Sequence, residues 1–223
     1  QNPVLIESAS DLQNLAGAVN GGGSFSKCIE NFYHYWEDGV EQHEDYCYTI
    51  SNAGDNEGFR NTYFYIVAPT GTIELNDWWG IGKKTSNVDR PFRGHIRAGR
   101  YQPNPTDDLT NETRALSGGD QDTIIIHGTN GLFAYCDGAT IENIHVKGNL
   151  LDATGTVSED IWAGIGGICD IAKNTTFSHC SNACKIELDE DCEMTGVGGI
   201  VGYGVHVIVD SCSNYGSINS AAA

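Results

Sequence analysis

Three stretches of this chain align with one another without a gap: GLFAYCDGATIENIHVKGNL at 131–150, GICDIAKNTTFSHCSNACKI at 167–186 and GIVGYGVHVIVDSCSNYGSI at 199–218. Apolar residues recur at matched positions of the three copies, as in the column formed by Ile141, Phe177 and Val209. Cysteine recurs as well, because Cys180 aligns with Cys212. An internal repeat of this length is typical of proteins that stack equal structural units.

Each copy contains short segments in which apolar and polar residues alternate, for example 140–146 and 206–209. Alternation with a period of two predicts β-strands. Glycine and asparagine separate these segments, and both tolerate the positive φ of a tight corner. One unit cannot bury its apolar side alone, whereas stacked units pair their strands in parallel and share a core. The sequence therefore predicts an all-β fold, a right-handed parallel β-helix (β-solenoid).

A single domain over 1–223 is expected, because 28 glycines and 5 prolines suit frequent turns. Its predicted parts, in chain order, are a leading segment with a short N-terminal capping helix at 1–24, an inserted loop at 25–63, the first rungs at 64–130 with a second insert at 101–121, the three aligned repeats at 131–218 and a tail at 219–223. The helix is predicted over 10–21, with Ser10 as N-cap and Leu12, Leu15 and Val19 on its apolar face.

The motifs that begin with glycine resemble a known family. GLFAY at 131–135, GICD at 167–170 and GIVGY at 199–203 are similar to the short motif of the GLUG repeat family, and the third is the closest match. CSNYGSI at 212–218 resembles the end of that family's rung. The resemblance implies a bacterial-type extracellular surface module, often part of a larger adhesin or secreted protein, and it implies no catalytic residues.

The chain is strongly acidic, with 30 acidic and 12 basic residues and a formal net charge of −18. Such a chain repels nucleic acid and anionic membrane surfaces, so neither is expected as a partner. No stretch reaches the apolar length of a membrane span. Together with the resemblance, these properties predict an extracellular or cell-surface protein.

Eight cysteines without a Cys-x-x-Cys pair favour an oxidising compartment. The candidate disulfide pairs are Cys28 with Cys47, Cys180 with Cys212, and Cys184 with Cys192. Cys180 and Cys212 would lie on adjacent rungs, where they either form a disulfide or stack as small apolar thiols. A zinc site built from His179, Cys180, Cys184 and Cys192 is an alternative use of the same residues.

Two Asn-x-Thr sequons begin at Asn111 and Asn174 and would suit a glycosylated surface. An acidic run follows the second repeat and supplies the candidate calcium ligands Glu187, Asp189, Glu190, Asp191 and Glu193. The run lacks the glycine and the alternating pattern of a helix-loop-helix calcium site, so a solvated charge run is the alternative. No other cofactor is expected.

Basic residues are concentrated in one band: Lys83, Lys84, Arg90, Arg93, Arg97 and Arg100. A second acidic cluster occupies 37–45 in the first insert, with aromatic residues on both sides. The band either contacts an acidic loop of a second copy, head to tail, or forms a local salt-bridge network. The aromatic residues of the insert either bind a sugar or partner protein or cover the first rung.

Only 219–223 follow the third repeat, so the strand edges of the last rung are expected to be uncovered. Either the natural protein continues with further domains or this end docks onto another copy and builds an open fibre.

Glu142 and Asp210 fall in one column but are separated by Ser178, which argues against paired catalytic carboxylates. The sequence predicts a non-enzymatic structural or adhesive module that assembles head to tail. The alternative is a carbohydrate-active β-helix, either a polysaccharide lyase or glycoside hydrolase or a carbohydrate-binding module.

Overall fold

The computed structural model describes residues 3–38, 40–99, 122–152, 164–188 and 196–220. These residues contain one α-helix, α1 (Ala9–Gly21), and one short 3-10 segment, Gly54–Phe59. The strands before the second insert are β1 (Val4–Ile6), β2 (Ser24–Glu37), β3 (Val40–Ser51), β4 (Tyr63–Ile66), β5 (Thr72–Trp78), β6 (Lys83–Thr85), β7 (Val88–Arg90) and β8 (His95–Ala98). The strands after it are β9 (Thr123–Gly128), β10 (Phe133–Asp137), β11 (Thr140–Glu142), β12 (His145–Asp152), β13 (Gly164–Gly166), β14 (Cys169–Lys173), β15 (Thr176–Ser178), β16 (Ser181–Leu188), β17 (Gly196–Gly198), β18 (Val201–Val205), β19 (Ile208–Asp210), β20 (Ser213–Asn214) and β21 (Ile218–Ser220).

Most strands belong to parallel sheets in which successive repeats supply neighbouring strands. The first sheet has the order β1-β4-β8-β11-β15-β19, and the second has the order β10-β14-β18. The third contains β5, β9, β12 and β16 in turn, and both β20 and β21 pair with β16. A small parallel pair joins β13 to β17. Two antiparallel hairpins, β2–β3 and β6–β7, extend from this arrangement.

The strand register confirms the alignment of the three repeats. Ile141 pairs with Phe177, and Phe177 pairs with Val209. In the third sheet Asn182 pairs with Asn214. Residues that share a column of the alignment therefore lie above one another, one strand spacing apart.

The first sheet continues this stacking upstream of the repeats. Val4 pairs with Phe64, Phe64 with Ile96, and Ile96 with Ile141. The first insert leaves the stack between β1 and β4, where the β2–β3 hairpin follows α1 in the chain. The second insert, expected over 101–121, lies outside the described residues. The first insert, expected over 25–63, thus consists of this hairpin, the 3-10 segment and the approach to β4.

Residues with positive φ form two corners in each repeat. The corner positions are Gly138, Asn174 and His206 on one side, and Asn143, His179 and Ser211 on the other. The interpretation of 140–146 as one strand is wrong, because Asn143 has a φ of 54° and ends β11. The chain turns there, and β12 joins a different sheet. A left-handed residue cannot continue an extended strand, and asparagine is among the residues that tolerate this conformation.

The core between the sheets contains a buried asparagine as well as apolar side chains. Asn182 is fully buried; its Nδ2 donates to Asn214 Oδ1 at 2.8 Å, and its Oδ1 accepts from Cys184 N at 2.9 Å. Gly167 and Gly199 lie against these two amides, since a Cβ on Gly167 would be 2.2 Å from Asn182 Cγ. The glycines that begin the second and third repeat motifs therefore make room for the amide ladder.

Helix α1 adds an apolar face to the core at the amino-terminal layer. Ser8 is its N-cap and accepts from Asp11 N at 3.2 Å, so the expected cap at Ser10 is wrong by half a turn. Ser8 has the extended backbone that a cap requires, and Gly22 ends the helix in the left-handed conformation. The apolar face is confirmed, with Leu12, Leu15, Ala16, Ala18 and Val19 all buried. Within the described residues no helix combines the length and apolarity needed to cross a membrane.

Replacing Gly167 with alanine is expected to lower the free energy of unfolding by about 1–3 kcal/mol or more, because the new methyl group overlaps the Asn182 side chain. Gly17→Ala is the matched control: no atom lies within 4 Å of its added Cβ, and it sits inside α1. That change should instead stabilise the protein by about 0.5–1 kcal/mol. Urea denaturation of both variants measures the two signs, and equal effects would contradict the amide-ladder explanation.

Candidate assembly interface

The strand layer formed by 196–220, the last layer, has exposed residues at positions that are buried in the preceding repeat. Phe177 is fully buried, whereas its column partner Val209 is 51% exposed. Ile186 is fully buried, whereas its partner Ile218 is 43% exposed. No described residue of the last layer is buried. The side chains at the core positions of the last layer are thus open to solvent at this end of the stack.

The same end of the stack presents strand edges. Among the described strands, β19 and β18 end the first and second sheets, and each is paired on one side. An edge strand offers a row of N–H and C=O groups to another strand. Apolar side chains and backbone groups together are what a further parallel strand layer requires.

The opposite end carries α1 and the β2–β3 hairpin, here called the arm (24–51). At its root Phe25 is fully buried, and a disulfide joins Cys28 to Cys47, the pair expected within the first insert. Towards its tip the arm is exposed, with Trp36 at 73% and Val40 at 59%. The root of the first insert therefore packs, while its tip projects.

The aromatic residues of the arm divide between these two environments. Tyr48 packs against the core beside α1, and Tyr35 is exposed, with its hydroxyl donating to Glu44 Oε1 at 2.9 Å. Tyr48 thus covers the first layer, which was one of the two expected roles of these aromatic residues, whereas Tyr35 and Trp36 do not. Burial, followed by the charges of Asp11 and Glu7, raises the pKa of Tyr48 to about 12.

The basic band makes contacts within the chain. These are Lys84 Nζ with Asp89 Oδ2 (2.9 Å), Arg90 Nη1 with the Asn20 carbonyl (2.7 Å), Arg93 with Glu57 (3.1 Å) and Asp137 (3.5 Å), and Arg97 Nη2 with Glu142 Oε1 (4.0 Å). Lys83 is exposed on β6, and Arg100 lies outside the described residues. This placement favours the local network over a contact with a second copy.

The candidate calcium ligands fall mainly outside the described residues. Glu187 lies at the end of β16 and forms an ion pair with Lys185. The other four candidates, Asp189, Glu190, Asp191 and Glu193, are not among the described residues. Within the described ranges, no group of three or more His, Cys, Asp or Glu side chains could hold a metal ion. The zinc alternative therefore has no converging set among His179, Cys180 and Cys184.

Cys180 and Cys212 occur as two thiols stacked between adjacent layers. Cys180 N donates to Cys212 Sγ at 3.4 Å, and neither sulfur is in a disulfide. Cys184 is a buried free thiol, and its expected partner Cys192 lies outside the described residues. Burial raises the pKa of both Cys180 and Cys184 to about 12.

The buried thiols predict a loss of stability at alkaline pH. An unfolded thiol ionises near pH ~8.5, whereas these folded thiols keep their protons to a higher pH, so the unfolded chain releases protons first. The free energy of unfolding should therefore fall as pH rises from about 8.5 towards 12. Urea denaturation under reducing conditions at a series of pH values measures the slope. Cys184→Ala should have a shallower slope, and an unchanged slope would exclude this thiol as a cause.

The first sequon lies outside the described residues at Asn111, and the second lies on the surface. Asn174 occupies an exposed corner with a φ of 46°, and its Nδ2 donates to Asp137 Oδ1 at 3.0 Å. The corner keeps this amide on the outside of the stack. An enzyme that glycosylates Asn174 would thus approach from solvent, and only the hydrogen bond to Asp137 would have to break among the side-chain contacts described above.

The described outer faces contain no close pair of carboxylates at the column considered for catalysis. Glu142 pairs in register with Ser178, and Ser178 pairs with Asp210, as the alignment predicted. Glu142 also approaches Arg97 in the strand on its other side. An acid and a second carboxylate facing one sugar bond would have to come from elsewhere.

The structure contains two polar arrangements that the sequence did not predict, and the first surrounds His145. Ser181 Oγ lies 2.7 Å from His145 Nδ1, and His145 Nε2 lies 3.1 Å from Asn143 Oδ1. Asn143 Nδ2 donates to the Ala98 carbonyl at 2.8 Å, so its Oδ1 accepts from Nε2–H and the serine hydroxyl donates to Nδ1. Burial lowers the pKa of His145, which keeps the ring neutral. The residues come from two repeats, and no local motif joins them.

The second arrangement is a cavity of about 560 Å³ between α1 and the β6–β7 hairpin. Its lining includes Asn20, Trp79, Lys83, Lys84 and Asn130. Trp79 is 51% exposed at this site. The only sequence signal is an aromatic residue next to the basic band.

A comparison of the chain with protein-family models, with curated proteins and with solved structures found no match. Its function is therefore inferred from its own geometry.

Proposed function

We propose that this chain is a non-enzymatic extracellular β-helix module that assembles head to tail through its last layer. The proposed fold is a right-handed parallel β-helix of the GLUG repeat type. It is supported by parallel sheets to which successive repeats contribute neighbouring strands. It is supported also by the recurring glycines, of which Gly167 and Gly199 face the amides of Asn182 and Asn214.

The exposed column positions of the last layer carry the functional proposal. Val209 and Ile218 occupy places that are fully buried one repeat earlier, and Ile208 is 61% exposed. Complete burial of one such aliphatic side chain contributes about 1.5–3 kcal/mol. A second copy that covers this end would bury several of them and pair the open edges of β18 and β19. Both gains act on the same surface of the last layer.

Head-to-tail contact is favoured because the two ends of the stack differ. One end presents strand edges, and the other presents α1 and the root of the arm. A contact between unlike surfaces does not close on itself unless its rotation forms a ring, so repetition extends an open chain. A fibre of stacked copies, or attachment to an adjacent domain of a larger surface protein, uses the same end.

An extracellular location is supported by the disulfide between Cys28 and Cys47, because such bonds persist in oxidising compartments. The net charge of −18 opposes binding to nucleic acid and to anionic membranes.

Val209→Glu is expected to abolish assembly, because it places a charge on the apolar surface that the next copy would bury. Sedimentation velocity over a range of concentrations, with negative-stain electron microscopy, should show growing oligomers for the unmodified chain and single particles for the variant. Circular dichroism checks that the variant keeps its strands.

Ser217→Glu is the matched control, since it adds the same charge beside Ile218 at an exposed position of the same layer. Strand alternation places it on the outer face rather than in the core column. This control should still assemble. A wild-type chain that stays monomeric at every concentration would overturn the assembly proposal.

Carbohydrate binding is a second candidate, favoured by the cavity beside Trp79. An exposed indole offers a flat apolar face to a sugar ring, and Lys83 and Lys84 of the same cavity supply positive charge. Asn20 and Asn130 add amide groups at its wall. This combination fits an acidic oligosaccharide better than a neutral one.

Trp79→Ala is expected to weaken binding of an acidic oligosaccharide, such as an oligouronate, by about tenfold or more, because it removes a large apolar face, and burying a large apolar side chain contributes about 1.5–3 kcal/mol. Isothermal titration calorimetry measures the change. Trp36→Ala removes the exposed indole of the arm tip and should leave binding unchanged. Equal affinity of both variants, or no binding by the wild type, would remove this candidate.

A further inference from the structure

A buried lysine fastens the root of the arm to the amino-terminal layer. Lys27 Nζ lies 2.8 Å from Glu7 Oε2, 3.0 Å from Asp11 Oδ2 and 2.9 Å from the carbonyl of Leu5. The side chains of Lys27, Glu7 and Asp11 are only 8%, 15% and 12% exposed. Two carboxylates thus share one ammonium group in a site that is nearly closed to water.

This cluster differs from a second Lys–Asp pair, Lys84 with Asp89. Lys84 lies 2.9 Å from Asp89, a similar distance, but that aspartate is 56% exposed and the pair has one carboxylate. In the Lys27 cluster the amine is held against one carboxyl group while a second carboxylate contacts the same nitrogen. Proximity, exclusion of water and a neighbouring proton acceptor are the requirements for condensing an amine with an acid.

We propose that Lys27 and Asp11 form an intramolecular isopeptide bond, with Glu7 carrying the proton. The site would join β2 of the arm covalently to α1. The proposal is independent of how the last layer assembles.

The reaction balances without an external reagent. One proton moves from the Lys27 ammonium to the Asp11 carboxylate, which gives a neutral amine and a carboxylic acid. The nitrogen lone pair attacks Asp11 Cγ and forms the C–N bond. Glu7 takes a second proton from the nitrogen and returns it to the departing hydroxyl, which leaves as water. The amide retains one N–H, and Glu7 ends as it began.

The surroundings of Asp11 suit the tetrahedral stage of this reaction. The backbone N–H of Glu7 donates to Asp11 Oδ2 at 2.8 Å, and Lys27 Nζ contacts the same oxygen, so the carboxyl group is held in one orientation against the amine. Asp11 also lies in the first turn of α1, where the helix dipole stabilises negative charge. After condensation the new amide N–H can still donate to Glu7, which prevents that carboxylate from losing its partner.

The bond would complete a covalent connection at the arm root. Cys28 and Cys47 join β2 to β3 immediately beside Lys27, and Lys27 pairs in register with Tyr48. Force applied to the arm tip would then pass through the disulfide and the isopeptide bond into α1. The hydrogen bonds of the hairpin would carry less of the load.

Mass spectrometry of the full chain, denatured and reduced, tests the proposal directly. The expected mass is lower than that of the sequence by one water. Lys27 is the first tryptic site of the chain, and trypsin should not cut after it, so the linked protein should give one peptide, 1–60, that is lighter by one water. Chymotrypsin cuts between the two linked residues, for example after Leu15 and Phe25, and should leave their segments joined as a branched peptide. The Lys84–Asp89 pair serves as an internal control and should stay unlinked. A loss of water or ammonia elsewhere in the chain is distinguished from the cross-link because a different peptide carries the change in mass.

Two variants assign the roles. Lys27→Arg keeps a cation among the carboxylates but cannot form the amide, so it should retain the full mass while the chain folds. Glu7→Gln should lower the linked fraction at least tenfold when measured soon after synthesis. An unlinked wild-type chain that trypsin cleaves after Lys27 would overturn the proposal. An unchanged linked fraction in Glu7→Gln would overturn the role of Glu7.

Discussion

Parallel pairing between successive repeats ties the backbone of every layer to the layer beneath it, and it requires the two layers to match residue for residue. Phe177 stands between Ile141 and Val209, and the amide of Asn182 bonds to that of Asn214. A slip of one residue would move every inward side chain to the outer face. The corners with positive φ and the glycines against the amide ladder follow from this requirement, because each layer must turn at the same places.

The same requirement explains the character of the last layer. A strand layer buries its apolar side chains only when a layer lies on each side, which is why Ile186 is fully buried and Ile218 is not. Helix α1 meets this need at the other end by placing Leu12 and Leu15 on the first layer. The proposed assembly supplies a comparable cover for the last layer from a second copy.

The arm introduces a different problem, since a long hairpin with an exposed tip gains little from the core. Its stability depends on the root, where the disulfide and the Lys27 cluster meet. A buried ammonium between two carboxylates is favourable only while all three groups stay in contact, because separating them leaves an uncompensated charge. The cluster therefore fixes the position of the arm relative to β1 and α1, whether its contact is ionic or covalent.

The sequence by itself determined the repeat, its register and the apolar columns, because equal units must place equal residues at equal positions. It also predicted the apolar face of α1 from helical spacing. It did not reveal that Asn143 ends a strand, since asparagine occurs in strands and corners alike and only the change of sheet identifies the corner. The N-cap is Ser8 rather than the predicted Ser10, because the hydroxyl of Ser8 accepts the hydrogen bond from the backbone N–H of Asp11. Only the tertiary structure brought Glu7, Asp11 and Lys27 together, since these charges come from the strand end, the helix and the hairpin and follow no period along the chain.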